Sequence, residues 1–189
     1  MKQFELPEII KPDNGIYFLP NAYISLYNNL KNQKELQEMI TANDEKVPNC
    51  AVINAHMIID VFQVLAAASK ATLLESQGKL KTNNVNSEII FSLSPNTKIN
   101  EANNVFGISK DCDAALVIII CNDDVKAMEI NEEVNSFIEG DEIHLSELSA
   151  YTDLEKIKKF FKIDENIQDS NIVLKQVLEQ MTLKGLKAE

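Results

Sequence analysis

The chain contains no arginine, so all eighteen of its basic residues are lysine. Planar, bidentate guanidinium clamps on phosphate or carboxylate are therefore excluded, and any basic contact must come from an ammonium point charge. Glycine is scarce: the five glycines in 189 residues stand singly. Neither the G-x-x-x-x-G-K-[ST] phosphate loop nor the G-x-G-x-x-G dinucleotide turn is present. The two histidines, His56 and His144, lie far apart and form no H-x-x-x-H pair, so no zinc site is expected. His56, at a helix entry, reads as a hydrogen-bonded structural residue rather than a general base. Cys50, Cys112 and Cys121 are odd in number, lack a short ligand spacing, and read as reduced thiols. There is no G-x-S-x-G and no cysteine in a nucleophile context. The acidic pairs Asp123-Asp124, Glu132-Glu133 and Asp111-x-Asp113 lack calcium-loop spacing and read as solvated surface. The expectation is a chain without catalytic, cofactor or metal residues, and not an enzyme. A small-molecule α/β enzyme with a site assembled from distant residues is the weakest alternative.

No apolar run approaches the roughly 18 residues that cross a bilayer. The segment Met1-Lys2-Gln3-Phe4-Glu5-Leu6-Pro7 lacks the apolar core of a secretory signal. The expected location is the cytoplasm with access to the nucleus, and no membrane partner is expected.

What the chain does have is acid, unevenly placed. The net charge is −11, which argues against autonomous tight binding of nucleic acid. Residues 1–55 carry five lysines against seven acids, residues 56–110 five against four, and residues 111–189 eight against eighteen. The middle is thus the only third that is not acidic. The acidic C-terminal part is either a solvated surface or a field that steers a basic partner.

Length and a 45% hydrophobic content fit one domain over residues 1–189. Ile16–Leu19 and Ala22–Tyr27 read as one or two strands. Asn28–Ala42 reads as a helix, and Ala51–Ile53 as a short extended piece. Val61–Gln77 is the best-defined helix: Asp60 and Gln63 form a capping box, and Gly78 supplies the left-handed stop. Phe62, Leu65, Ala66, Ser69, Leu73 and Gln77 share one side of it. Glu88–Leu93 reads as a strand closed by a Ser94-Pro95-Asn96 turn, and Asn100 as the cap of a two-turn helix ending at Gly107. Ala114–Cys121, an unbroken apolar run, is expected to be a central strand covered on both faces. Met128–Ile138 reads as a helix, Glu142–Leu145 as extended, and Thr152-x-x-Glu155 as a capping box opening a helix to Phe161. Asp169 or Ser170 starts a last helix. The fold class expected is α/β (α+β): one mostly antiparallel sheet with helices packed on it, largely on one side, and a helical C-terminal region.

The middle also carries a recognisable pattern: Asp60-x-Phe62-Gln63, Ala68-x-Lys70-Ala71, Gly78-Lys79-Leu80-Lys81-Thr82, Ser87-Glu88-Ile89-Ile90-Phe91, Leu93-Ser94-Pro95-Asn96, Glu101-Ala102 and Phe106-Gly107-Ile108. In this order and spacing it resembles the PRPK-binding protein (TPRKB) family of small KEOPS (EKC) subunits. Ile130-Asn131-x-Glu133, Glu139-Gly140, Leu145-x-x-Leu148 and Lys158-x-Phe160-x-Lys162-Ile163 extend the likeness. Val61 stands where the family usually has proline.

The resemblance implies a non-catalytic subunit that docks on the N-terminal lobe of a PRPK-type kinase/ATPase. Through it the subunit sits in an assembly with the transferase that places threonylcarbamoyl on the adenosine next to the tRNA anticodon. It also implies a part in recruiting the tRNA 3′ CCA end, although only Lys98 stands where archaeal-type relatives tend to carry arginine. Two sets of residues are candidates for these contacts. Leu174, Val177, Leu178 and Met181 form an apolar stripe that either meets the kinase or packs on the chain's own core. Lys70, Lys79, Lys81 and Lys98 lie in the non-acidic middle and are the candidates for RNA.

Overall fold

The computed structural model describes residues 1–7, 9–10, 16–17 and 20–184. Its centre is the run read as a buried strand. β6 (Ala115–Cys121) lies between β4 (Asn21–Asn28) and β5 (Ala51–Asn54), antiparallel to both. Its backbone is hydrogen-bonded on both edges and its side chains are covered on both faces, which is why no polar residue interrupts it. The far edge of β4 is shared by two three-residue strands, β1 (Lys2–Phe4) beside Ala22–Ile24 and β7 (Asp141–Ile143) beside Leu26–Asn28. The Met1 ammonium and Ser25 hydroxyl both bond Glu142, joining these edge strands. Separately, β2 (Ile9–Ile10) and β3 (Ile16–Tyr17) pair with each other. Phe18 and Leu19, which the sequence assigns to the same strand, lie outside the described residues.

Strand alternation divides the core in two. Ala22, Ile24 and Leu26 of β4, with Leu116 and Ile118 of β6, face one side. Tyr23, Tyr27, Val117 and Ile119 face the other. The first side carries most of the helices. These include α2 (Val61–Ser76), α3 (Val85–Leu93), α7 (Leu154–Phe161) and α8 (Ser170–Leu183). The second carries α1 (Gln33–Ala42), through Leu36, and α5 (Asp124–Phe137), through Ala127, Ile130 and Val134. α4 (Ile99–Phe106) sends Phe106 into the first core, where it meets Phe160 and Phe161 edge-on at centroid distances of 5.5 and 6.1 Å. A one-turn α6 (Leu148–Tyr151) precedes α7.

The Glu88–Leu93 segment is a correction: it is helical, not a strand. Asn84 caps α3 by accepting from the Ser87 amide at 2.8 Å. The apolar run arises because α3 is buried nearly all round, between α2, α4 and β5. A short run of this kind has no period to separate strand from buried helix.

Local chemistry set other boundaries. The α2 stop is as expected: Gly78 has φ +65°, with Gly78 N–H to Glu75 C=O at 2.9 Å and Lys79 N–H to Leu74 C=O at 2.8 Å. Asp60 accepts from the Phe62 amide at 2.8 Å, and Gln63 Oε1 reaches back to the Ile59 amide at 3.1 Å. The core face of α2 is Val64, Ala67, Ala68, Ala71 and Thr72, so the Phe62–Leu73 stripe lies to its side: Phe62 is 58% exposed, while Leu65 is half-buried against the core. α4 begins at Ile99, after an N-cap Lys98 without a side-chain bond, and not after Asn100. Asp123 caps α5 earlier than expected. At α7 the cap is Asp153, accepting from the Lys156 amide at 2.9 Å. Thr152 instead donates its hydroxyl to the Ile58 carbonyl at 2.7 Å, tying α7 to the entry of α2.

Candidate functional site

α8 opens where Asp169 accepts from the Asn171 amide at 2.9 Å. The helix then divides the apolar stripe read from the sequence. Val177 and Met181 join Val173 in the core and are buried. Leu174 and Leu178 are half-buried, Leu178 also packing against the core, and with Leu183 they line a shallow apolar groove of about 570 Å³ rimmed by Lys175 and Glu179. The i, i+4 repeat of 174/178 and that of 173/177/181 lie on different faces of one helix. Of the four candidate residues, Val177 and Met181 hold the helix down, Leu174 lines the open groove, and Leu178 lies at the boundary between groove and core.

The four candidate lysines do not come together as one patch. Lys70 is half-buried at the side of α2, and its Nζ donates to the Met181 carbonyl at 3.3 Å, capping an open C=O near the end of α8. Burial, followed by the charge of Lys81, holds its pKa below the usual lysine value. Lys79 and Lys81 are exposed on the loop after Gly78. That loop is pinned by Glu88, itself 1% exposed, whose Oε2 accepts from the amides of Lys81 and Thr82 at 2.9 Å each and from the Thr82 hydroxyl at 2.8 Å.

Lys184 completes this group, a residue that sequence reasoning missed. Its Nζ donates to the Phe91 carbonyl and sits over the Phe91 ring. Burial, then the charge of Lys70, pushes its pKa down to about 7. The one available signal was its i+3 spacing from Met181, which places it on the core side of the helix.

Lys98 is elsewhere. It lies on a groove of about 730 Å³ with Lys156, Lys159 and Lys162, against a single carboxylate, Glu101, and beside Phe160. Lys156 and Lys159 of α7 and Lys162, which follows it, were not among the candidates. Phe106 of α4, packed against Phe160 and Phe161, brings them beside Lys98.

Other titratable groups are engaged in structure. His56 has Nδ1 2.6 Å from the Tyr151 carbonyl and Nε2 2.6 Å from an Asp113 carboxylate oxygen, so both ring nitrogens are occupied. His144 meets Ser146 at the start of a 3₁₀ turn. Burial pushes the Cys50 thiol up to about 12 and the Cys112 thiol up to about 11, so both remain protonated. Asp123 caps α5 and Asp124 accepts from the Tyr23 hydroxyl. Among the described residues no group of three or more His, Cys, Asp or Glu side chains could hold a metal ion, and no helix is long and apolar enough to cross a membrane.

Comparison with known proteins adds to this geometry. The family model described as kinase binding protein CGI-121 matches residues 27–185. The chain is 37% identical over 161 residues to the EKC/KEOPS complex subunit TPRKB of Danio rerio, covering 85% of this chain and 89% of that one. It is 27% identical over 182 residues to the EKC/KEOPS complex subunit CGI121 of Gibberella zeae, covering 87% and 92%. Against the cgi121 subunit of Aspergillus fumigatus the figures are 31% over 151 residues, 77% and 79%.

Proposed function

The chain belongs to the kinase binding protein CGI-121 family, and from that premise we propose that it is a non-catalytic subunit of an EKC/KEOPS assembly, docking on a PRPK-type kinase/ATPase through the outer face of α8. The observation that carries the docking site is the Leu174–Leu178–Leu183 groove, an apolar surface on a helix already anchored by Val173, Val177 and Met181. A helix fixed on one side and apolar on the other presents a preorganised surface, which lowers the ordering cost of association. The threonylcarbamoyl transferase is then an indirect partner, reached through the kinase. The chain supports modification of the adenosine next to the tRNA anticodon without touching the reacting groups, and it works in the cytoplasm and nucleus. The absence of a phosphate loop from the sequence and the engagement of both His56 nitrogens support the non-catalytic part of this reading.

The test is titration of the purified chain with its cognate PRPK-type kinase. Leu174→Glu should weaken saturable binding about thirtyfold or more, a hot-spot loss of ~2 kcal/mol, while leaving the fold intact. A Leu174→Glu protein that is folded and binds normally moves the kinase to another surface.

A second reading, contact with the tRNA 3′ end, is favoured by one observation: four lysines around Phe160 in a chain of net charge −11. Lysines on phosphates beside an aromatic ring are the elements of single-strand binding. In this reading Lys98 acts with α7, and Lys70, Lys79 and Lys81 form a separate contact.

A further inference from the structure

The two most exposed large apolar side chains among the described residues are on α5, on the sheet face opposite α8. Val125 is 67% and Met128 62% exposed, one helical turn apart. Helical spacing carries their stripe onward through Glu129, Glu132 and Ser136, while Ala127, Ile130 and Val134 face the core. Beside this stripe, between α5 and α1, runs an open groove of about 800 Å³. Met39 and Phe137 supply its apolar surface, and Glu35, Glu129, Glu132, Glu133 and Glu139 line it against a single lysine, Lys46. Among the described residues none of these five carboxylates is in an ion pair.

An exposed methionine and valine beside unpaired glutamates is a surface with two complementary requirements. Methionine is unbranched and polarisable, and adapts to irregular apolar side chains. The glutamates repel nucleic acid and other acidic surfaces, and favour a cationic partner over distances of about a Debye length, ~8 Å at physiological salt. The ligand meeting both is an amphipathic helix with one apolar and one lysine- or arginine-rich face, lying in the groove in the helix-in-groove mode.

We infer that the outer face of α5 is a docking surface for a basic amphipathic helix of a partner protein other than the kinase. The inference does not depend on the kinase reading, since α8 packs on the other face of the sheet. It gives the domain two interaction faces of different chemistry: a neutral apolar groove on α8, and an acidic, methionine-bearing one on α5.

The experiment titrates the full chain into three fluorescent synthetic peptides of about five helical turns. One has a leucine face and a lysine face, one replaces leucine by glutamine, and one replaces lysine by glutamate. Saturable binding is expected for the lysine/leucine peptide alone. It should fall about tenfold in the Glu129→Lys/Glu132→Lys/Glu133→Lys variant, and by a similar factor in Val125→Ser/Met128→Ser. Melting temperature and affinity for the cognate kinase should be unchanged in both. Equal binding of the lysine/glutamine peptide overturns the inference, since that reports charge without docking. So does unchanged lysine/leucine binding in either variant, or loss of kinase binding in the α5 variants.

Discussion

Glu88 and Thr82 are joined through a single carboxylate oxygen: the amide and the hydroxyl of Thr82 both donate to Glu88 Oε2, at 2.9 and 2.8 Å. A third donor, the Lys81 amide, shares that oxygen. The buried acid of α3 thereby fixes the lysine-bearing loop that follows α2, so a residue inside the fold sets the position of residues outside it.

Replacing Glu88 should therefore destabilise the domain and loosen the loop together. Hydrogen bonds to a charged acceptor contribute ~1.5–3 kcal/mol each, and Glu88→Ala leaves two backbone donors unpaired. The expected loss is ~3 kcal/mol or more, read by chemical denaturation, with faster hydrogen exchange at the Lys81 and Thr82 amides. Glu88→Gln, which keeps an acceptor oxygen, should lose less.

Lys184 makes stability depend on pH. Burial, with Lys70 adding to it, pushes its folded-state pKa down to about 7, while the unfolded chain keeps its proton to roughly pH 10.4. Between these values the unfolded state binds more protons, so this residue makes stability rise with pH from about 7 towards 10, and adds no slope below 7. Lys184→Met should flatten the curve in that window when melting temperatures are compared with the parent chain. Parallel curves would show that the ammonium is solvated.

The two faces of α8 should separate by mutation. Val177 is fully buried, and Val177→Ala should cost ~2 kcal/mol through lost burial and the cavity left behind. Leu174→Glu, on the open groove, should change stability by no more than about 1 kcal/mol. A large destabilisation by Leu174→Glu in denaturant melts would assign the whole helix to the core.

How much of this was legible in the sequence depends on where the information lies. The central strand, the Gly78 stop and the last helix are written locally, in an unbroken apolar run, a left-handed residue and an aspartate cap. Helix α3 was not, because burial on all sides removed the alternation that separates helix from strand. The α8 stripe stayed open between partner and core for a related reason: residues 177 and 178 differ by one position, and only the packed core shows that Val177 and Met181 face it. Which lysines lie together was not legible either, because their proximity comes from tertiary packing. Lys98 found its neighbours at positions 156–162, and Lys70 found its own at 184.

The Lys98 groove gives a salt-dependence prediction. In tRNA binding by the assembled complex, Lys98→Gln, Lys156→Gln and Lys159→Gln should each flatten the slope of log affinity against log salt. If each lysine releases one counterion, the change is about 0.7 to 0.9 units. An unchanged slope in the folded triple variant would remove RNA from this face.

The central claim is that the kinase meets the outer face of α8, and calorimetric titration of the cognate PRPK-type kinase tests it most directly. The parent chain should bind in a saturable one-to-one complex. Leu174→Glu should weaken that complex about thirtyfold or more, the size of a hot-spot loss of ~2 kcal/mol, while the Val125→Ser/Met128→Ser variant binds like the parent. Parent-like affinity in a folded Leu174→Glu protein would contradict the account.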